Sequence, residues 1–317
     1  MRLKDKNVVR GLFGAFAAAA LLWPLACADD EPANVSGWSV YRDADVGAEN
    51  IRDIAATAGD DVWAVGARGV ILRYDGLTWR RTGNGLTTLD LNAVALLSPG
   101  EGWAVGQAGA ALRLVDGQWY VTYLPTGRDL WSIAYGTDGV AFAVGAGGVI
   151  YRWDGSTWTD ASLANVNADL KGVTYAGDGV FWAVGDGGTV LQYDGERWSR
   201  KAVPTTERLN CVAVREGRTY AGGDHGVILE YANGAWRSMS TPTIREIKAV
   251  AFTPAGLGFA AGNDGTLLGL KDGSWGAIAV DFAPHFPDNL NALALLNGGE
   301  GWAVGDNALI LQYRRPW

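Results

Sequence analysis

Seven positions recur about once every forty residues, each directly after a Leu or Ile: Arg52, Asn92, Trp131, Lys171, Asn210, Lys248 and Asn291. Neighbouring positions change less between repeats, while this slot holds three cations, three amides and an indole. A repeat keeps its fold-determining positions constant, so a varied polar slot is where a binding surface would be written. Cations beside an aromatic ring suit an anionic or sugar-like ligand. The competing reading is internal pairing. Asn50, Asp90, Asp129, Asp169, Arg208, Glu246 and Asn289 lie just upstream, and their carboxylates could simply pair with the cations.

Other chemistry is poorly provided for. His225 and His285 are the only histidines, too few for a zinc site or a Ser-His-Asp triad. Short loops add Arg68, Asp186, Asp224, His225, Asn263, Asp264 and Asp306 to the same end of the repeat. Asx side chains in tight turns usually bond their own backbone, and no single loop offers the converging oxygens calcium needs. Cys27 and Cys211 are the only cysteines, which argues against a disulfide framework. Cys211 falls where sister repeats carry Ala93, Ser132, Gly172, Ala249 and Ala292, so it reads as a buried, inert thiol. The pattern calls for no catalytic residue, no metal and no cofactor.

The elements that must position the slot are legible as a repeat. Gly66, Gly106, Gly145, Gly185, Gly223, Gly262 and Gly305 are spaced 40, 39, 40, 38, 39 and 43 residues apart. Around each lie four strand-length runs. Strand A is Leu-x-small-Val-Ala, strand B is aromatic-Ala-Val, strand C is Val-Ile-Leu-x-Tyr, and strand D starts at a Trp. Short β-branched and aromatic runs at this period predict an all-β, seven-bladed propeller with four antiparallel strands per blade. Asp75-Gly76, Asp116-Gly117, Asp154-Gly155, Asp194-Gly195, Asn233-Gly234 and Asp272-Gly273 separate strands C and D. They predict two-residue hairpins with both central residues at φ > 0, not catalytic carboxylates. The last repeat stops at Trp317 without that turn, while Gly37-Trp38-Ser39-Val40-Tyr41 looks like an orphan strand D. The N-terminal strand is expected to complete the last blade.

Residues 1–26 stand apart. Arg2, Lys4, Lys6 and Arg10 precede an apolar stretch from Leu12 to Trp23, followed by Ala26-Cys27-Ala28. This reads as an export signal rather than a membrane helix. Leu25-Ala26-Cys27 suits lipidation of Cys27, with residues 27–36 as a tether to a membrane; Ala26-x-Ala28 suits ordinary cleavage that discards Cys27 and releases a secreted or periplasmic protein. Residues 37–317 form the single propeller, expected to be a monomer. Its acidity, with the whole chain at −8 before the basic leader is removed, argues against nucleic acid as a partner.

Gly102-Trp103-Ala104-Val105-Gly106 and Val180-Phe181-Trp182-Ala183-Val184-Gly185-Asp186 carry a likeness. Over residues 37–317 the chain resembles the BNR/YVTN-like seven-bladed propellers, including the photosystem II assembly-factor propellers and the sialidase-type Asp-box folds. The Asp box separates its Asp and Gly by one residue, whereas here they are adjacent, as in Asp194-Gly195. The resemblance implies the architecture and does not carry an activity across. The reading is an exported, lipid-anchored scaffold of the cell envelope that binds a protein or glycan through its loop-bearing rim. A carbohydrate-active enzyme and a structural envelope component are the alternatives. One connection stands out, between Trp275 and Leu290, with Phe282, Pro284, His285, Phe286 and Pro287. It could anchor a partner or cap a blade edge.

Overall fold

The structure, a computed structural model, describes residues 37–41, 44–83, 85–253, 255–280, 288–296 and 299–315. The export signal, Cys27, the tether and the aromatic-proline residues of the long connection lie outside the described residues.

Seven four-strand antiparallel sheets, one carrying an added strand, form a closed seven-bladed propeller. Blade 2 is representative: strand A is Leu91–Ser98, B is Glu101–Gly106, C is Ala110–Val115 and D is Gln118–Tyr123. Strand A of each blade contacts strand A of the next, and blade 7 returns to blade 1. Strand B is buried along its length in blade 1, Asp61–Gly66, as a sheet covered on both faces requires.

What holds one blade to the next is aromatic. At six of the seven joints the strand-B aromatic meets the strand-D Trp of the following blade edge to face. Trp63 meets Trp119 at 5.5 Å, Trp103 meets Trp158 at 5.4 Å, Phe142 meets Trp198 at 5.1 Å and Trp182 meets Trp236 at 5.3 Å. Between blades 5 and 6, Tyr220 and Trp275 share one buried cluster. Such pairs contribute about 0.5–1.5 kcal/mol each beyond the area they bury. The repeated Trp is therefore an inter-blade key.

The ring closes as expected. Strand D of blade 7 is Trp38–Val40, which pairs antiparallel with Ile310–Arg314 through Trp38 and Tyr313, Ser39 and Gln312, Val40 and Leu311. Trp38 meets Phe259 of blade 6 at 5.4 Å, so the closing strand uses the same key. The chain then lays Ala44–Asp45 parallel to strand D of blade 1, Trp79–Thr82, as a fifth strand.

The Asp-Gly turns split into two kinds. At Asp116-Gly117, Asn233-Gly234 and Asp272-Gly273 both residues have positive φ, as expected of two-residue hairpins. At Asp75, Asp154 and Asp194 only the glycine does. There the carboxylate accepts hydrogen bonds from the two backbone N–H groups beyond the glycine, as Asp154 Oδ1 does from Ser156 and Thr157 at 2.8 Å. The physical reason is spacing. These three loops read Asp-Gly-x-x-Trp, one residue longer before the Trp, and the extra residue is turned by an Asx side chain.

Candidate functional site

The glycine closing strand B fixes the start of strand A. A Cβ on Gly185 would lie 1.9 Å from the carbonyl oxygen of Asp169, and the other six stand 1.9–2.1 Å from the equivalent oxygen. Only glycine permits that approach, which pins the residue before strand A against the B–C turn.

At its second residue, each strand A bulges. Pairing skips Arg52, Asn92, Trp131, Lys171, Asn210, Lys248 and Asn291, which are the seven varied positions. A bulge leaves its extra residue out of the ladder and re-aims the side chain. All seven line one cavity of about 520 Å³, walled by every blade and so lying on the ring axis. The structure brings the whole predicted set together.

The three amides stitch the ring. Asn92 Nδ2 donates to the Leu130 carbonyl of the next blade at 2.8 Å, Asn210 to that of Ile247 at 3.2 Å and Asn291 to that of Ile51 at 2.9 Å. The upstream residues are stitches too. Asp90, Asp129 and Asp169 accept the backbone N–H of Arg68, Ala108 and Gly147, at 2.8 Å each, at the tip of the preceding blade's B–C turn.

Two of the three cations are paired. Arg52 reaches into blade 2, donating to Asp90 Oδ2 at 2.6 Å and to Asn92 Oδ1 at 2.5 Å. Lys171 donates to Asp169 Oδ2 at 2.9 Å and sits 4.3 Å above the ring of Trp131. Lys248 differs. Its Nζ donates to Asn291 Oδ1 at 3.0 Å, a neutral amide, while the nearby Glu246 is held by Asn210 and Asn263. Among the described residues of the cavity wall, Lys248 is the slot cation without a carboxylate partner.

The B–C loop Asx residues do not turn back on their own backbone. Asp224 accepts from Asn210 at 3.0 Å, Asp306 from Asn291 at 2.9 Å and Asp186 from Arg208 at 2.9 Å. Asn210 and Asn291 reach them from the strand-A bulges, and Arg208 from the position just before strand A. Beside them, Glu207 Oε2 lies 2.8 Å from His225 Nδ1, a contact that raises the imidazole's pKa.

The residues one step past each bulge also line the wall, and two of them stand out. Cys211 is an unbridged thiol, half-buried on the cavity wall rather than fully buried, and desolvation pushes its pKa up to about 12. Asp53 occupies the same slot in blade 1 and escaped the sequence reading. Burial pushes its pKa up to about 7, even though Oδ2 accepts the Val94 N–H at 2.8 Å. Ser132 receives the Val173 N–H in the same way, so this slot caps the bulge of the following blade. The available signal was one acidic residue in a column of small ones.

These features define a seven-bladed β-propeller with a polar axial cavity. No protein-family model matches the chain, and no curated protein matches it. Among solved structures it is similar to "YCF48 bound to D1 peptide", with TM-score 0.71 and 22% identity, covering 88% of this chain and 95% of that one. It is similar also to YCF48 from Cyanidioschyzon merolae, with TM-score 0.70, 18% identity and coverage of 87% and 98%. The WD40 propeller domain of Doa1 matches at TM-score 0.70 and 14% identity, over 88% and 96%. At these identities the likeness is one of fold.

Proposed function

We propose that the protein is an exported, lipid-anchored scaffold that holds an anionic segment of a partner protein at the cavity mouth. The observation that carries this reading is the convergence of seven varied side chains, each on its own bulge, around a cation left unneutralised at Lys248. A solved propeller of similar shape holds a peptide, which supports a protein segment as the occupant. A glycan is less well served, since Lys171 already covers one face of Trp131, the slot's one aromatic ring. The carboxylates Asp90 and Asp169 each hold a backbone N–H and a cation, which favours binding over acid–base chemistry.

The decisive experiment captures partners from detergent-solubilised native envelope on the immobilised protein. Replacing Arg52, Lys171 and Lys248 together by alanine should remove the partner and its salt sensitivity while the fold persists. Undiminished capture by that variant would move the site off the cavity. Anchoring through Cys27 is checked separately, by palmitate labelling and by sequencing the mature N-terminus. A mature protein starting at Asp29 would exclude the lipid anchor.

A further inference from the structure

A second surface lies at the outer edge between blades 2 and 3. Strand D of blade 2, Gln118–Tyr123, spans six residues and carries no charge. Tyr120, Val121 and Tyr123 on it are 57%, 38% and 58% exposed. Natural edge strands are usually shortened or charged to prevent pairing with other chains. The other strand-D edges here follow that rule: Arg80 and Arg81 mark blade 1, Asp160 blade 3, Arg200 blade 4 and Arg237 blade 5. Blades 6 and 7 present Ser274–Ala277 and Trp38–Val40, without an exposed large apolar side chain. Among the described residues, only blade 2 leaves a long, uncharged aromatic strand-D edge open.

Beside this edge runs a cleft of about 600 Å³ lined by Trp103, Arg113, Tyr120, Trp153 and Trp158. The Arg113 guanidinium lies 5.4 Å from the Trp153 ring and 6.0 Å from that of Trp103. Its counterpart in blade 1, Arg73, sits over Trp63 in the same register but pairs with Asp61 at 3.5 Å. Among the described residues, Arg113 has no carboxylate within 4 Å. It is an exposed, unneutralised cation walled by indoles in an acidic protein.

We infer that the edge Gln118–Tyr123 together with Arg113 is a strand-addition site for an extended peptide segment bearing an acidic side chain. Backbone pairing along the edge would supply affinity, and the indole-walled cleft would take alternate side chains, the acidic one meeting Arg113. The chain itself shows that a strand-D edge accepts another strand, because Ala44–Asp45 pairs with that of blade 1. A second copy of the protein is a poorer occupant. Six residues span about 20 Å, and an edge of that length offers far less than the roughly 1,200 Å² a stable dimer buries.

The test selects a random peptide phage library on the full-length protein, with the Val121→Lys variant as counter-selection. Enriched peptides should alternate apolar residues around an Asp or Glu. Labelled synthetic copies should bind wild type and lose about tenfold or more in affinity to Arg113→Glu and to Val121→Lys. N-methylation of alternate peptide amides should abolish binding. The Arg52, Lys171 and Lys248 triple alanine variant should bind them unchanged, which separates this site from the axial cavity. Circular dichroism and melting curves confirm the fold, and Thr122→Lys substitutes for Val121→Lys should the latter unfold. The inference is overturned by absence of enrichment, by binding that survives Arg113→Glu and N-methylation, by binding lost only in the triple variant, or by sedimentation as a dimer through this strand.

Discussion

Lys248 and Asp53 show how the same cavity wall assigns different tasks to charged side chains. Arg52 and Lys171 already spend their charge on Asp90 and Asp169, whereas Lys248 spends a hydrogen bond on an amide. Lys248→Ala should therefore weaken partner capture more than Arg52→Ala, with the melting temperature changed by no more than about 2 °C. Equal losses for the two variants would argue against a special role for Lys248. Asp53 makes a prediction about pH. Its folded pKa of about 7 lies above its ordinary value near 3.8, so the folded state holds the proton more tightly than the unfolded chain. Its contribution to stability should consequently be full below the ordinary value and be lost as pH rises through 7, by on the order of a few kcal/mol. Asp53→Asn keeps an oxygen for the Val94 N–H and should flatten that decline. Opposite in sign are Glu49 and Asp154, held down to about 2, chiefly by backbone hydrogen bonds. They contribute stability present above their ordinary values and lost towards pH 2. Urea melts of wild type and Asp53→Asn between pH 4 and 8 check the first claim; parallel curves would refute it.

At the level of the strand and turn, periodicity carried most of the information. Alternating short apolar runs, a glycine at fixed spacing and the Trp that opens strand D were enough to place strands A to D and the varied slot. The bulge at that slot was not legible, since an extra residue in a ladder leaves no mark in composition. Pairing was only half legible: Asp169 serves its own Lys171, but Arg52 reaches to Asp90 in the next blade, a partner that only the ring geometry supplies. The two turn types were written in the count of residues between Gly and Trp, and Asp-Gly alone did not separate them. A paired substitution tests the glycine account. Gly185→Ala drives a Cβ into the Asp169 carbonyl and should cost several kcal/mol, as overpacking against rigid backbone does. Gly187→Ala, at φ 61 with open space around its Cβ, should cost only about 1 kcal/mol for the left-handed backbone. Similar denaturation midpoints for the two would mean that close approach is not what the repeat conserves.

Around the ring, stability depends on seven interfaces that exist only while the circle is shut. Blade 7 draws three strands from the C-terminal end of the chain and its fourth from Trp38–Val40, so its completion joins the two ends of the described fold. Trp38 is almost wholly buried, against Phe259 of blade 6 and 5.1 Å from Tyr313. Removing its ring leaves a void at the joint; Trp38→Ala should cost about 3–5 kcal/mol, the usual range for a buried Trp. Deleting residues 28–48 goes further. It strips the edge of Ile310–Arg314, exposing backbone donors and acceptors that the closing strand satisfies, and it also removes Ala44–Asp45 from blade 1. An open propeller with a bare strand edge should melt at a sharply lower temperature and associate with other copies. Calorimetry and size-exclusion chromatography of the two variants read both effects. The point substitution should lower the melting temperature of a protein that remains a single species, because its backbone ladder is intact. The deletion should also broaden the elution profile with concentration. Should the deletion elute and melt like the parent, closure by the N-terminal strand would contribute nothing to the ring, and the inter-blade keys alone would have to hold it.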